Sequence, residues 1–225
     1  MHYTVLDHND DFIVVNKSPG ITVQRDGQQP GLLELVARDL KLPHVYPVHR
    51  LDRETSGLVI LARTKESNRE LSGIFAQREI RKFYIALSNQ KPRKKQGAII
   101  GDMEKARRGS WKLSKSLDNP AITQMFSCSM APGIRLFLLR PKTGKTHQLR
   151  VALKSIGAPI LGDERYGADA SDRMYLHAWQ LQFEWRGRAL RYEALPEPGE
   201  LFTRPEFESA LAAYRQPETL DWPKR

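Results

Sequence analysis

Short apolar runs broken by turn residues alternate along this chain with segments whose apolar positions recur at helical spacing. The first run, Phe12 to Asn16, reads as a buried strand closed by the Ser-Pro-Gly turn at Ser18 to Gly20. Leu32, Leu33, Val36, Ala37 and Leu40 then fall on one helical face and predict a helix over 32–40. Gly57 to Ala62 is apolar without interruption. It is short for a helix and rich in Val, Ile and Leu, so it reads as a strand buried on both faces. Thr64 follows as the cap of a helix that turns Leu71, Ile74 and Phe75 inward.

In "IRKFYIALS", Ile80 to Ser88, period-two alternation places Arg81, Phe83, Ile85 and Leu87 on one face and Lys82, Tyr84 and Ala86 on the other. Tyr84 thus points away from the aliphatic row. Ile134 to Arg140 reads as another strand, and Leu149, Ala152, Leu153 and Ile156 line a helix stopped by Gly157 and Pro159. Tyr175 to Trp185 and Ala189 to Ala194 read as paired strands, and the tail from Pro205 to Tyr214 as a helix with Phe207, Leu211 and Tyr214 on one side. Strands and helices mix irregularly, with no repeat, low-complexity tract or long linker, which predicts one mixed α/β unit, a single domain over 1–225.

Composition narrows the function classes. No stretch approaches the roughly 18 apolar residues that cross a bilayer, and the first residues lack a basic-then-apolar leader pattern, so the expected place is the cytoplasm, without a membrane partner. One cysteine, Cys128, cannot form an internal disulfide, and reads as a strand residue; without CxxC or HxxxH spacing no metal cluster is expected. Charge adds more: 36 Lys and Arg against 26 Asp and Glu give +10, the balance of a protein with a polyanionic partner. Between Lys91 and Lys115 nine basic residues (Lys91, Arg93, Lys94, Lys95, Lys105, Arg107, Arg108, Lys112 and Lys115) face only Asp102 and Glu104. That window reads either as a solvated hairpin or as a phosphate-contacting arm with Trp111 able to stack on a base.

The densest chemistry is "VHRLDRETSGLVILAR", Val48 to Arg63, where charged residues crowd in front of the buried strand. A carboxylate is the side chain there that can act as nucleophile or base at neutral pH without first losing a proton, which leaves Asp52 and Glu54. Asp52 lies between Arg50 and Arg53, which would keep it ionised. Two alternatives fail. "TGKT" at Thr143 to Thr146 ends like a phosphate-binding loop, but the first glycine of that pattern falls at Leu139, inside a strand. A zinc deaminase needs a His/Cys set that a one-cysteine chain lacks, so His147 and His177 read as hydrogen-bonding residues.

"HRLDRETSGLVILART" (His49 to Thr64), "RKFYIAL" (Arg81 to Leu87), "RPKTGKTHQLRVALKSIGAPILGDERYG" (Arg140 to Gly167) and "LHA" (Leu176 to Ala178) together resemble, in order, the motifs of the RluA family of pseudouridine synthases. The resemblance implies an α+β pseudouridine synthase fold, with a largely antiparallel twisted central sheet flanked by helices and loops and a central catalytic cleft. It implies an isomerase that detaches uracil from its ribose in rRNA or tRNA, rotates it and rejoins it through carbon, without a cofactor. Asp52 matches the family's indispensable aspartate, Arg150 its basic partner and Tyr84 the active-site tyrosine. Arg50 is then the candidate to fill the space of the extruded uridine, and Leu176 the apolar wall of the base pocket. Lys82, Lys145, His147 and Gln148 are further expected substrate contacts, Lys145 standing where many relatives have Arg. Thr55, Ser56 and Gly57 shape the turn. The strand at Phe12 leaves no room for the additional N-terminal RNA-binding domain of many members, so RNA capture is expected from the basic 91–115 window, and a compact domain suggests a monomer. The competing reading is an inactive RNA-binding protein or RNA chaperone on the same fold. A glycosidase using Asp52 and Glu54 is weaker, since residues two apart on a loop need not face each other at the required separation of about 5 Å.

Overall fold

The structure, a computed structural model, describes residues 2–224. In chain order the elements are β1 (Tyr3–His8), β2 (Phe12–Lys17), α1 (Leu32–Asp39), β3 (Tyr46–Pro47), β4 (Ser56–Ala62), α2 (Lys65–Ala76), β5 (Arg81–Ser88) and β6 (Gln96–Gly101). They continue with β7 (Met103–Lys105), β8 (Trp111–Leu113), β9 (Ala121–Ala131), β10 (Ile134–Pro141), α3 (Gln148–Ser155), β11 (Leu176–Trp185), β12 (Arg188–Glu193) and α4 (Pro205–Ala212). This is the mixed α+β class expected, with mostly antiparallel strands. The chain divides into two compact units: one runs to Lys82 and takes in His177–Pro196, the other is Phe83–Leu176 with Glu197 onward.

In the first unit β2 is antiparallel to both β1 and β4, and β12 is antiparallel to β11. The exception is β4 with β11, which run parallel with Ser56 opposite His177 and Gly57 opposite Ala178. All seven residues of β4 are buried, which is why its sequence carries no alternation. Leu58 and Ile60 pack with Phe12, Val14, Leu71 and Phe183, and Phe12 meets Trp185 edge-on at 5.8 Å. Thr64 caps α2 as expected: Ser67 N–H donates to Thr64 Oγ1 at 3.0 Å, while the Ser67 hydroxyl donates to the Asp11 carbonyl at 2.7 Å and ties the helix start to the end of β1–β2. The strand read as ending at Asn16 extends one residue, to Lys17, whose side chain is fully buried.

In the second unit β6, β9, β10 and β5 form an antiparallel succession, and β7 and β8 make a separate hairpin. Phe83, Ile85, Leu87, Leu136 and Leu138 are fully buried in this unit. Trp222, close to the C-terminus, packs on Phe126 and Phe83 at 5.0 and 5.8 Å and takes the Arg140 guanidinium over its ring at 5.5 Å. The tail helix α4 buries Phe207 and Leu211, whereas Tyr214 lies beyond its end and stacks on Phe126.

Gly57 sits where the backbone tolerates no side chain. Its φ is +115°, and a Cβ there would lie 2.2 Å from the Ala178 carbonyl oxygen. Gly57→Ala therefore combines left-handed strain with a backbone clash, and the unfolding free energy in a denaturant titration should fall by about 3 kcal/mol or more. A loss within experimental error would show that β4 and β11 can separate without consequence.

Candidate active site

The loop that carries Asp52 is held from below. Lys17 ends β2 with its ammonium fully buried, donating to the carbonyls of Ser18 (3.0 Å), Ile21 (2.8 Å) and Arg53 (3.1 Å). The Arg53 carbonyl also accepts from Gly20 N–H at 2.9 Å, so the Ser-Pro-Gly turn and the Asp52 loop share one set of bonds. Asp52 closes its own turn through its carbonyl, which accepts from Thr55 N–H at 3.1 Å, and its side chain is half-buried. Arg53 turns outward: its Nε donates to the Gly20 carbonyl and its Nη2 to Gln29, with Asp26 at 3.6 Å and Glu54 at 3.9 Å. Glu54, the other carboxylate considered in the sequence, is exposed in that pairing, and Arg50 is exposed. Past the turn, Ser56 Oγ lies 2.8 Å from His177 Nδ1. His177 Nε2 donates to the Ala194 carbonyl at 2.7 Å, so this histidine is the hydrogen-bonding residue expected.

His49 begins the same motif. Its Nε2 accepts the Ile60 N–H at 3.0 Å and its ring stacks on Phe75, centroids 4.4 Å apart and 17° from parallel. Burial, and then the nearby Lys82 charge, push its pKa down to about 3, so the ring is neutral with its proton on Nδ1. Lys82 lies half-buried with its ammonium 5.9 Å from the Phe75 centroid, and burial together with Arg78 lowers its pKa.

The second unit carries the other predicted residues. Tyr84 on β5 is half-buried between the fully buried Phe83 and Ile85, as the alternation required. Arg150, on α3, is buried and grips Asp163 with both edges of its fork, Nε to Oδ2 at 2.7 Å and Nη2 to Oδ1 at 2.8 Å. Its guanidinium also lies 5.1 Å over the Tyr166 ring. The Tyr166 hydroxyl accepts Trp111 N–H at 3.1 Å and lies 2.9 Å from His147 Nδ1. Burial raises the Tyr166 pKa, so the phenol keeps its proton and can donate it to His147. His147 itself has φ +55°, a left-handed position that starts α3.

Gln148 is buried and uses its whole amide inside the unit. Oε1 accepts from Thr143 Oγ1 (2.7 Å) and Lys145 N–H (3.0 Å), while Nε2 donates to the Ile122 carbonyl (3.1 Å) and Thr123 Oγ1 (3.0 Å). Its amide thus shapes the TGKT turn. Lys145 reaches Asn119 Oδ1 at 2.8 Å, and Leu176 is buried at the start of β11. Asp163, Tyr166 and Lys17 are site residues that sequence reasoning misses. Asp163 and Tyr166 do fall inside the quoted "GDERYG" segment, whereas a buried lysine has no sequence signature.

All nine basic residues of the 91–115 window are exposed, and the β7–β8 hairpin puts Arg107 and Arg108 at its tip. Trp111, paired with Lys105 next to that tip, stays half-buried. Among the described residues no helix is long and apolar enough to cross a membrane, and no group of His, Cys, Asp and Glu is placed to hold a metal ion.

The chain is similar to known proteins in sequence and in fold. A family model described as RNA pseudouridylate synthase matches residues 11–155. An uncharacterized RNA pseudouridine synthase of Haemophilus influenzae is 52% identical over 216 residues, covering 95% of this chain and 96% of that one. The dual-specificity RNA pseudouridine synthase RluA of Pasteurella multocida is 34% identical over 190 residues, covering 80% and 85%. Among solved structures, human RNA pseudouridylate synthase domain containing 4 superposes with a TM-score of 0.71 at 25% identity, over 94% of this chain and 92% of that one.

The Arg150–Asp163 pair is nearly sealed from water, with side-chain exposures of 8% and 1%. Asp163→Asn removes the anion and leaves the guanidinium buried, so stability by chemical denaturation should drop by about 3–5 kcal/mol. A drop below about 1 kcal/mol would mean that Arg150 is held in place by other groups.

Proposed function

The chain belongs to the RNA pseudouridylate synthase family, and from that premise we propose that it converts a specific uridine of a ribosomal or transfer RNA into pseudouridine with Asp52 as the reacting carboxylate. The isomerisation breaks the bond between ring N1 and the ribose, turns the uracil and joins its C5 to the same carbon. C5 loses a proton and N1 gains one, so atoms balance without a second substrate. The protein must supply an ionised oxygen in a fixed place, a surface for the flipped base and groups that hold the RNA.

The observation that carries this reading is the construction of the Asp52 turn. Lys17 and Gly20 fix the Arg53 carbonyl from beneath, and Arg53 is drawn outward to Gly20, Gln29 and Asp26. Asp52 is thereby presented at the head of a fully buried strand, with its carboxylate half-buried. Such pre-set placement is what a nucleophile or base needs, because the ordering entropy is lost at folding and not at the moment of reaction. Arg150, oriented by Asp163, is the proposed basic partner of Asp52, and Tyr84 the ring that stacks on the target base. Arg50, exposed beside Asp52, would occupy the space the uridine leaves, offsetting unstacking of a few kcal/mol. Leu176 lines the base pocket, and Lys145 and His147 contact RNA around the turn that Gln148 holds. We place the protein in the cytoplasm, acting as a monomer.

Mapping pseudouridine in cellular RNA with and without the gene tests the activity. One or more sites should vanish in the deletion, return with the wild-type gene and stay absent with Asp52→Asn. No vanished site, or full restoration by the Asn variant, would refute the activity or the role of Asp52, and would favour RNA binding without catalysis.

RNA capture by the basic window has its own test. Reversing Lys94, Lys95, Arg107 and Arg108 to Glu should leave the melting temperature unchanged. It should also flatten the slope of log affinity against log salt by about 3, at roughly 0.7–0.9 for each phosphate that the variant no longer neutralises. An unchanged slope would make the window a solvated hairpin.

A further inference from the structure

Two of the buried cations of the chain are fully compensated: Lys17 has three carbonyls and Arg150 a carboxylate. Lys82 differs. Its ammonium is half-buried over the Phe75 ring, and among the described residues it takes part in no ion pair and no hydrogen bond. The neighbouring charge that acts on it is Arg78, which is positive; Glu79, next in the chain, is exposed and does not offset it. The third group is His49. With Nε2 committed to the Ile60 N–H, its proton sits on Nδ1, a donor for which the described residues offer no acceptor. Phe75 is common to both: its ring stacks on His49 and lies under the Lys82 ammonium.

We infer that His49, Arg78 and Lys82 form a binding site for a phosphodiester of the substrate RNA. His49 and Lys82 both lie against the Phe75 ring, the Arg78 charge acts on Lys82, and no carboxylate among the described residues pairs with any of the three, so a half-buried charge is left uncompensated and destabilises the free protein. A phosphate supplies both the negative charge and the acceptor oxygens that the site lacks. Its place in the chain connects it to the reaction. His49 is three residues before Asp52, and Lys82 is two before Tyr84 on the same face of β5. An anion held there belongs to the strand whose uridine is being modified. In this the inference rests on the function proposed above.

Lys82→Met is the informative variant, because it keeps the apolar stem over Phe75 and removes only the charge. In chloride buffer it should melt higher than the wild type, the reverse of what a packing lysine would give. Inorganic phosphate at matched ionic strength should raise the wild-type melting temperature and leave the Met variant unmoved, while Lys82→Arg retains the protection. With a uridine-containing single-stranded RNA as probe, the Met variant should bind about 10- to 100-fold more weakly, the range expected for one charge-assisted contact. Phosphate protection that survives in Lys82→Met overturns the site, whatever the melting temperatures. Protection that is lost while RNA affinity is unchanged overturns its assignment to RNA in favour of free phosphate. Asp52→Asn should keep both responses. A chain that makes no pseudouridine yet shows the Lys82-dependent shift would therefore refute the catalytic reading alone.

Discussion

The buried ammonium of Lys17 is the constraint on which the Asp52 loop depends. Stripped of water, it is stable only while carbonyl oxygens replace its hydration, and those of Ser18, Ile21 and Arg53 do so. Two loops that are distant in sequence are therefore obliged to stay together, since neither can move without exposing a charge to an apolar interior. The parallel contact of Gly57 with Ala178 fixes the other end of the same loop. Between these two fixed points Asp52 has little freedom, which is how a short, charged, solvent-facing turn can hold the carboxylate proposed to react in register.

The buried and half-buried positive charges described above fall into three conditions. Lys17 is satisfied by neutral acceptors and is structural. Arg150 is neutralised by a bidentate carboxylate, so it can be buried and still keep its direction. Lys82 has no ion-pair or hydrogen-bond partner among the described residues, and it shares the Phe75 ring with the neutral His49. The excess charge of the chain, which in composition is a single number, is thus divided among holding the loop, orienting a side chain and awaiting an anion. The exposed lysines and arginines of the 91–115 window form a fourth group, set on a hairpin where salt would screen them most.

Much of this is legible in the sequence because apolar periodicity is a direct image of burial. The unbroken run of β4, the alternation of β5 and the helical spacing of α1 and α3 all reappear. Other elements are silent for physical reasons. β1 is an edge strand with one buried residue, Tyr3, so its alternation has nothing to hide. β9 buries Ala121, Thr123 and Met125 among Gln, Ser and Cys, and its apolar contrast is faint, although Cys128 reads as a strand residue. At the site, motif spacing marks Asp52, Tyr84 and Arg150, yet Asp163 is recognisable as the partner of Arg150 only once the chain has brought them together across 13 positions. Lys17 is unreadable because lysine is the residue least expected in a dry interior. Gln148 reads in the sequence as a substrate contact, whereas its folded amide is fully engaged with the chain around it.

The first unit is assembled from two separated stretches, since its sheet needs β11 and β12 beside a core made by residues up to Lys82. Ser56 meets His177 only after 121 further positions have been added. During synthesis, then, the apolar β4 leaves the ribosome long before its parallel neighbour exists, and the Asp52 turn cannot be completed until nearly the whole chain is made. A truncated or stalled product would carry the motif's residues with an open strand edge instead of a finished turn. Such fragments would be prone to aggregation rather than modification of RNA, so catalytic competence arrives late in the life of each molecule and in one step.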